Sequence, residues 1–111
     1  MWRYKYGCFS EDQIFEIKVR MRKQIYFLLL CVDNNTRDSV GDVNVDEVFE
    51  EILIWFDGLN ELLFHPASLV KIIALLEAAR KEYNSSTFKF SRYRKMILDA
   101  GAEVLKIEEA E

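Results

Sequence analysis

Ile25-Tyr26-Phe27-Leu28-Leu29-Leu30-Cys31-Val32 carries no charge, and its only hydrogen-bonding side-chain groups are the Tyr26 hydroxyl and the weak Cys31 thiol. In water such a run has no polar side to turn outward, whether helical or extended, so other elements must cover it on several faces. It reads as the middle of a core. A membrane helix needs about 20 apolar residues; this run stops at Asp33, follows Arg22-Lys23, and has no second hydrophobic span after it. No membrane partner is expected.

Upstream of the run a helix announces itself. Ser10 is a capping residue, Gln13 stands at the third helical position as in a capping box, and Phe9 and Ile14 occupy the hydrophobic-staple positions. Ile14, Phe15, Ile17, Met21, Ile25 and Leu28 keep helical spacing, which carries this first helix to about Val32. A switch to a strand at Gln24 is the alternative, since aromatic and β-branched residues are present. Three consecutive leucines and the lack of Gly or Pro favour helix.

Asp33 to Val43 reads as a loop, with Asn34, Asn35, Ser39 and Gly41 as its turn formers. Asn44 then caps a second helix, with Glu47 three residues on and Val43 and Val48 as a staple; Gly58 is expected to end or bend it, and 59–64 to add a turn or a continuation. Pro66 fits the first position of a third helix. That helix is apolar nearly all round from Leu69 to Ala79, and is therefore expected to be central and packed beside the first. Phe88 and Phe90 read as a short extended link, and Ser91 as the cap of a fourth helix whose stripe Tyr93, Met96, Ile97, Ala100, Val104, Ile107 passes through Gly101. The fold class is all-α: a compact bundle of four to five helices, one domain over 1–111, preceded by an extended aromatic and basic segment over 1–9.

Composition narrows the function classes. Two cysteines make neither a disulfide framework nor a zinc spacing. They read as reduced thiols of a cytoplasmic protein, in keeping with the absence of a signal-peptide pattern before Glu11-Asp12. His65, the single histidine, has Asp57 and Glu61 upstream but no second imidazole, and reads as a residue of a helix junction rather than a metal ligand. Cys8 or Cys31 as a nucleophile would need that same distant base, and no serine elbow, phosphate loop or dinucleotide fingerprint occurs. The chain is read as non-enzymatic, without cofactor or metal.

Charge is segregated along the chain. Residues 1–23 hold six bases against three acids, residues 33–65 nine acids against Arg37 alone, and residues 83–98 four bases and no acid. Oppositely charged faces attract partners of either sign, or each other. Three candidate partner-binding sets follow. Asp46, Glu47, Glu50 and Glu51 form an acidic face whose i,i+4 like-charge pairs cost a few tenths of a kcal/mol each, roughly. The plain reading is a solvated face; the sharper one is docking to a basic partner, or mimicry of nucleic-acid charge. Lys89, Arg92, Arg94 and Lys95, interleaved with Phe88, Phe90 and Tyr93, form an anion site at the start of the fourth helix. Cations at a helix N-terminus oppose the macrodipole, as do Glu108, Glu109 and Glu111 at the other end, by about 0.3–1 kcal/mol each. Its ligand is expected to be carboxylates, those of the acidic face in the same or another copy, with single-stranded nucleic acid as the alternative. The third set is Trp2, Tyr4 and Tyr6. Together with Trp55, Phe88 and Phe90 they exceed what a domain of this size hides, and some are expected to share an interface.

The segments Leu28–Asp33, Asp57–Phe64 and Arg94–Lys106 resemble small uncharacterised proteins from phages and integrated mobile elements of Gram-positive bacteria. The resemblance implies no activity. It implies an accessory or regulatory factor that works by binding host or element proteins; self-association is expected from the surplus of aromatic side chains instead.

Overall fold

In a computed structural model the chain is described over residues 1–110; Glu111 lies outside the described residues. An antiparallel hairpin, β1 (Trp2–Tyr4) and β2 (Gly7–Phe9), precedes α1 (Glu11–Leu30), a short α2 (Arg37–Val40), α3 (Val45–Leu62), α4 (Ala67–Tyr83) and α5 (Phe90–Val104). The all-α bundle is therefore observed, with a small two-stranded sheet at one end.

Two expected caps form as written. The Ser10 hydroxyl accepts from Gln13 N at 3.1 Å while Ser10 N donates to the Gln13 side chain at 2.8 Å, and Asn44 accepts from Glu47 N at 3.2 Å. Other boundaries differ. The 33–43 connection contains the single turn α2, whose cap Thr36 also donates its hydroxyl to Leu30 O. Gly58 does not end α3, because Phe56 and Leu59 on either side are core residues whose burial holds the helix together. Pro66 is the residue before α4 rather than its first, and α5 begins at Phe90 with Lys89, not Ser91, as its cap. Phe90 is thus helical, not part of an extended link. Helix α5 ends at Val104, so Glu108 and Glu109 lie beyond its last turn and do not oppose its dipole.

The hydrogen bonds fix how the helices run. The end of α1 meets the start of α5 through Tyr93; the end of α4 meets the start of α5 through Glu82, and the start of α3 through Arg80 and Asn84. The four long helices therefore alternate up, down, up, down. Packing closes them into a ring in the order α1, α3, α4, α5. This corrects one expectation: α4 does not pack beside α1. It lies diagonally opposite, and α5 takes the place beside α1, where Tyr93, Ile97, Ala100 and Val104 are fully buried.

Helix termini leave four carbonyls without an intrahelical donor, and those of α1 are all accounted for. Phe27 O accepts from Cys31 N, Leu29 O from Val32 N and Asp33 N, and Leu30 O from the Thr36 hydroxyl. Leu28 O is buried and receives the Tyr93 hydroxyl at 2.6 Å across 65 residues of chain. Burial raises the Tyr93 pKa above its ordinary value, with Cys31 and Tyr83 adding to the shift, so the donor proton stays in place. Lower on the same seam Gly101 makes room for Tyr26: a Cβ there would stand 2.5 Å from the Tyr26 hydroxyl oxygen.

The hairpin closes the opposite end. Trp2 and Tyr4 turn one aromatic face onto the bundle, Tyr4 stacks on Phe9 with ring centroids 4.1 Å apart, and Lys5 N donates to Leu62 O at the end of α3. Of the core-defining run, Ile25, Leu28 and Cys31 are buried, Tyr26, Phe27, Leu29 and Val32 half-buried, and Leu30 exposed. Cover comes from α3 and α5, on two sides rather than all round.

Two substitutions test this account. Tyr93→Phe should lower the unfolding free energy by about 1–3 kcal/mol, the cost of an unpaired buried carbonyl; chemical denaturation reads it. Gly101→Ala should destabilise by about 1–3 kcal/mol through overpacking, despite the better helix propensity of Ala. In a Tyr26→Ala background the same change should be neutral or stabilising.

Candidate interaction surfaces

The basic segment sits where α4 hands over to α5. Lys89 has no side-chain cap to offer, and the first turn of α5 draws its anion from the preceding helix: the Glu82 carboxylate accepts Lys89 N at 3.0 Å and Arg92 Nε at 2.8 Å. Arg92 also donates to Thr87 O at 2.9 Å. The Lys89 hydrogen bond, helped by Arg92, holds the Glu82 carboxyl below the usual carboxylate range. An anion is thus at the helix N-terminus as the charge pattern suggests, but it is a carboxylate of α4, not one of the Asp46–Glu51 face. Lys95 pairs with Asp99 one turn along, which leaves Arg94 and the Lys89 side chain without an acidic partner among the described residues. Phe88 and Phe90 pack around the buried Tyr93 ring, at 6.0 and 6.4 Å between centroids, and so serve the core.

The acidic set divides likewise. Asp46 is half-buried, accepting from Asn84 Nδ2 at 2.9 Å and Arg80 Nε at 3.2 Å; these bonds, Asn84 first, lower its pKa. It holds α3 to α4 and offers nothing to a partner. Glu47, Glu50 and Glu51 are exposed and make no ion pair among the described residues. Ile54, 66% exposed, follows them one turn down the same helix. The basic and acidic sets do not meet, since α3 and α5 face each other across the core, where Phe49 and Tyr93 touch edge to face. Glu103 is the one buried carboxylate. Burial pushes its pKa up, but the Ser68 hydroxyl, Lys71 and Lys106 outweigh that and hold it down.

The aromatic set is not one surface. Trp2 and Tyr4 are half-buried at the hairpin end, with Lys18 Nζ 5.4 Å from the Trp2 ring, and only Tyr6 at the turn is exposed. Phe88 and Phe90 lie at the opposite end. His65 sits at the α3–α4 corner with Phe64, both in the left-handed region at φ 57° and 62°, and its ring bonds Asn60 at 3.0 Å. No group of three metal-ligating side chains occurs among the described residues.

A surface that sequence reasoning did not single out lies along the seam of α1 and α3, the least closely packed of the four. A groove of about 450 Å³ is lined by Phe27, Val48, Ile52 and Trp55, with Lys23 on the α1 wall and Glu51 on the α3 wall. A second of about 250 Å³ continues toward the hairpin, lined by Phe9, Gln13, Glu16, Ile17 and Arg20 and sharing Trp55. The sequence signal was present but indirect. Phe27 and Trp55 belong to helix faces wider than a single stripe, and such width is buried only if the neighbouring helix comes close.

The Glu82 arrangement separates two arginines. Arg92→Glu should place a second carboxylate against Glu82 and destabilise the domain measurably, whereas Arg94→Glu, which breaks no contact, should leave the unfolding midpoint close to that of the wild type. Because the Glu82 and Asp46 pKa values are lowered on folding, their stabilisation is complete above the ordinary values of 4.5 and 3.8 and is lost as the pH falls below them. The gap between wild type and Arg92→Glu should therefore narrow on acidification through that window, as thermal unfolding would show.

No family model, curated protein sequence or solved structure matches the chain, so these surfaces are read from their own geometry.

Proposed function

We propose that this chain is a non-enzymatic accessory factor that works by binding protein, and that the α1–α3 groove is its contact surface. The observation that supports this reading is the groove itself. Six apolar or aromatic side chains, Phe9, Ile17, Phe27, Val48, Ile52 and Trp55, line one continuous trough, flanked by charges that form no ion pair across it. Aromatic residues in half-closed apolar surroundings with a charged rim are the composition of protein-contact centres. The resemblance to proteins of phages and mobile elements fits an accessory role of this kind, exercised in the cytoplasm. No helix of the described residues is long and apolar enough to cross a membrane.

Nucleic acid is the second reading, and the freedom of Arg94 and Lys89 at the start of α5 is the observation that favours it. With Arg92 and Lys95 engaged within the chain, two cations remain, a small footprint on a chain of net charge −4.

The two readings separate by substitution. Trp55→Ala with Phe27→Ala should leave a helical, folded domain but abolish co-purification of its protein partner from the native cell, while Arg94→Glu leaves it intact. Loss of retention on single-stranded nucleic acid with Arg94→Glu, and none with the groove variant, would reverse the assignment.

A further inference from the structure

The charged residues of the groove walls are arranged so as to select an occupant. On α1 the rim side chains descend as Phe27, Lys23, Arg20, Glu16. On α3, which runs the other way, they descend as Val48, Glu51, Trp55. Lys23 and Glu51 line the same part of the groove from opposite walls, and Arg20 and Trp55 share the next part. Lys23, Glu51 and Arg20 are exposed and make no ion pair among the described residues.

Two closed symmetries bring two such faces together. An axis lying across the helices sets α1 over α1: centred near Lys23 it brings Lys23 onto Lys23 and Glu51 onto Glu51, and centred between Arg20 and Glu16 it pairs those two but leaves Lys23 and Glu51 facing no opposite charge of the lining. An axis lying along the seam, in the plane of contact, keeps heights and exchanges walls. Helix α1 of one copy then lies over α3 of the other, antiparallel to it. Lys23 comes opposite Glu51 of the second copy and Arg20 opposite the Trp55 ring of the second copy, a cation over an aromatic face. Phe27 meets Val48 in the same way, and the second copy returns each contact. Like charges brought together are costly, and of the two arrangements the second gives both Lys23 and Glu51 a partner of opposite charge, so the pattern favours it.

From this we infer that the groove is the interface of a two-fold homodimer, with the axis along the α1–α3 seam and reciprocal Lys23–Glu51 pairs closing over Phe27 and Trp55. The inference rests on the reading of the groove as a protein-contact surface and names its occupant: a second copy of this chain.

The test is charge exchange read by sedimentation equilibrium. Lys23→Glu and Glu51→Lys each alter an exposed, unpaired side chain, so circular dichroism should find both variants as helical as wild type. Wild type should be a dimer. Each single variant should self-associate on the order of a hundredfold more weakly, since both contacts between positions 23 and 51 then pair like charges. Mixed in equal amounts, the two variants should form a heterodimer in which both contacts again pair opposite charges, and the chain carrying both changes should dimerise by itself. Single variants that dimerise as wild type does, or a mixture that stays monomeric, would overturn the arrangement. A wild-type chain that remains monomeric at the highest soluble concentration would also overturn it. In that case loss of a different co-purifying protein with Trp55→Ala and Phe27→Ala would leave the groove a contact surface with another occupant, whereas no loss would remove the broader reading as well.

Discussion

The hydrogen bond from Tyr93 to Leu28 O is the constraint on which the rest of the arrangement depends. It joins the last turn of α1 to the first turn of α5, at the only carbonyl of the α1 terminus that neither the following loop nor Thr36 satisfies. A buried carbonyl without a donor is costly, so an α5 displaced to the far side of the bundle would expose the defect at once. The rings of Phe49, Tyr83, Phe88 and Phe90 converge on Tyr93 and make its position a packing matter as well. Fixed there, α5 runs down α1 with Gly101 opposite Tyr26, and the close approach that a glycine permits draws these two helices together.

That closeness has a geometric cost on the other side of the ring. Helix α5 is shared between α1 and α4, and α4 between α5 and α3; Tyr93 holds the first of these seams, and carboxylates lock the others, Glu82 and Glu103 between α4 and α5, Asp46 between α3 and α4. Between α1 and α3 there is no such lock. Trp55 and Phe27 stand in the seam instead, and the walls above them stay far enough apart that no ion pair bridges them. The open groove is thus a by-product of how the other three seams close, which is why its floor consists of residues ordinary for a core.

What the chain discloses before folding follows from range. The capping box at Ser10 and Gln13 and the cap at Asn44 are local, governed by residues within one turn, and they form as the spacing indicates. The number and type of the long helices are legible for the same reason. Helix α5 begins two residues earlier than a Ser91 cap would have it, because its capping acceptor is Glu82, seven residues before Lys89 on another helix and invisible to a rule about neighbours. The neighbours of α4 were misjudged because an apolar helix demands cover without specifying whose; the Tyr93 contact across the chain decided for α5. Among the charged candidate site residues three are engaged within the fold, Asp46 by Arg80 and Asn84, Arg92 by Glu82, Lys95 by Asp99. Glu47, Glu50, Glu51, Lys89 and Arg94 make no ion pair among the described residues, and neither do Arg20 and Lys23, which no charge cluster had marked out.

The segregation of charge along the chain acquires a physical sense from this. Had the basic first third and the acidic middle been placed to neutralise one another, α1 and α3 would bridge their shared seam with ion pairs. Exposed pairs of that kind contribute only about 0–1 kcal/mol each, so the fold loses little by leaving them unmade. Unmade, they keep a field across the groove that extends roughly 8–10 Å into physiological solvent before screening, far enough to be felt by an approaching chain and too short to act from one end of the 43 Å molecule to the other. A charge pattern of this kind adds little to the stability of a lone copy. Its effect is on what can lie against the groove, and it disfavours a surface that sets base opposite Lys23 or acid opposite Glu51.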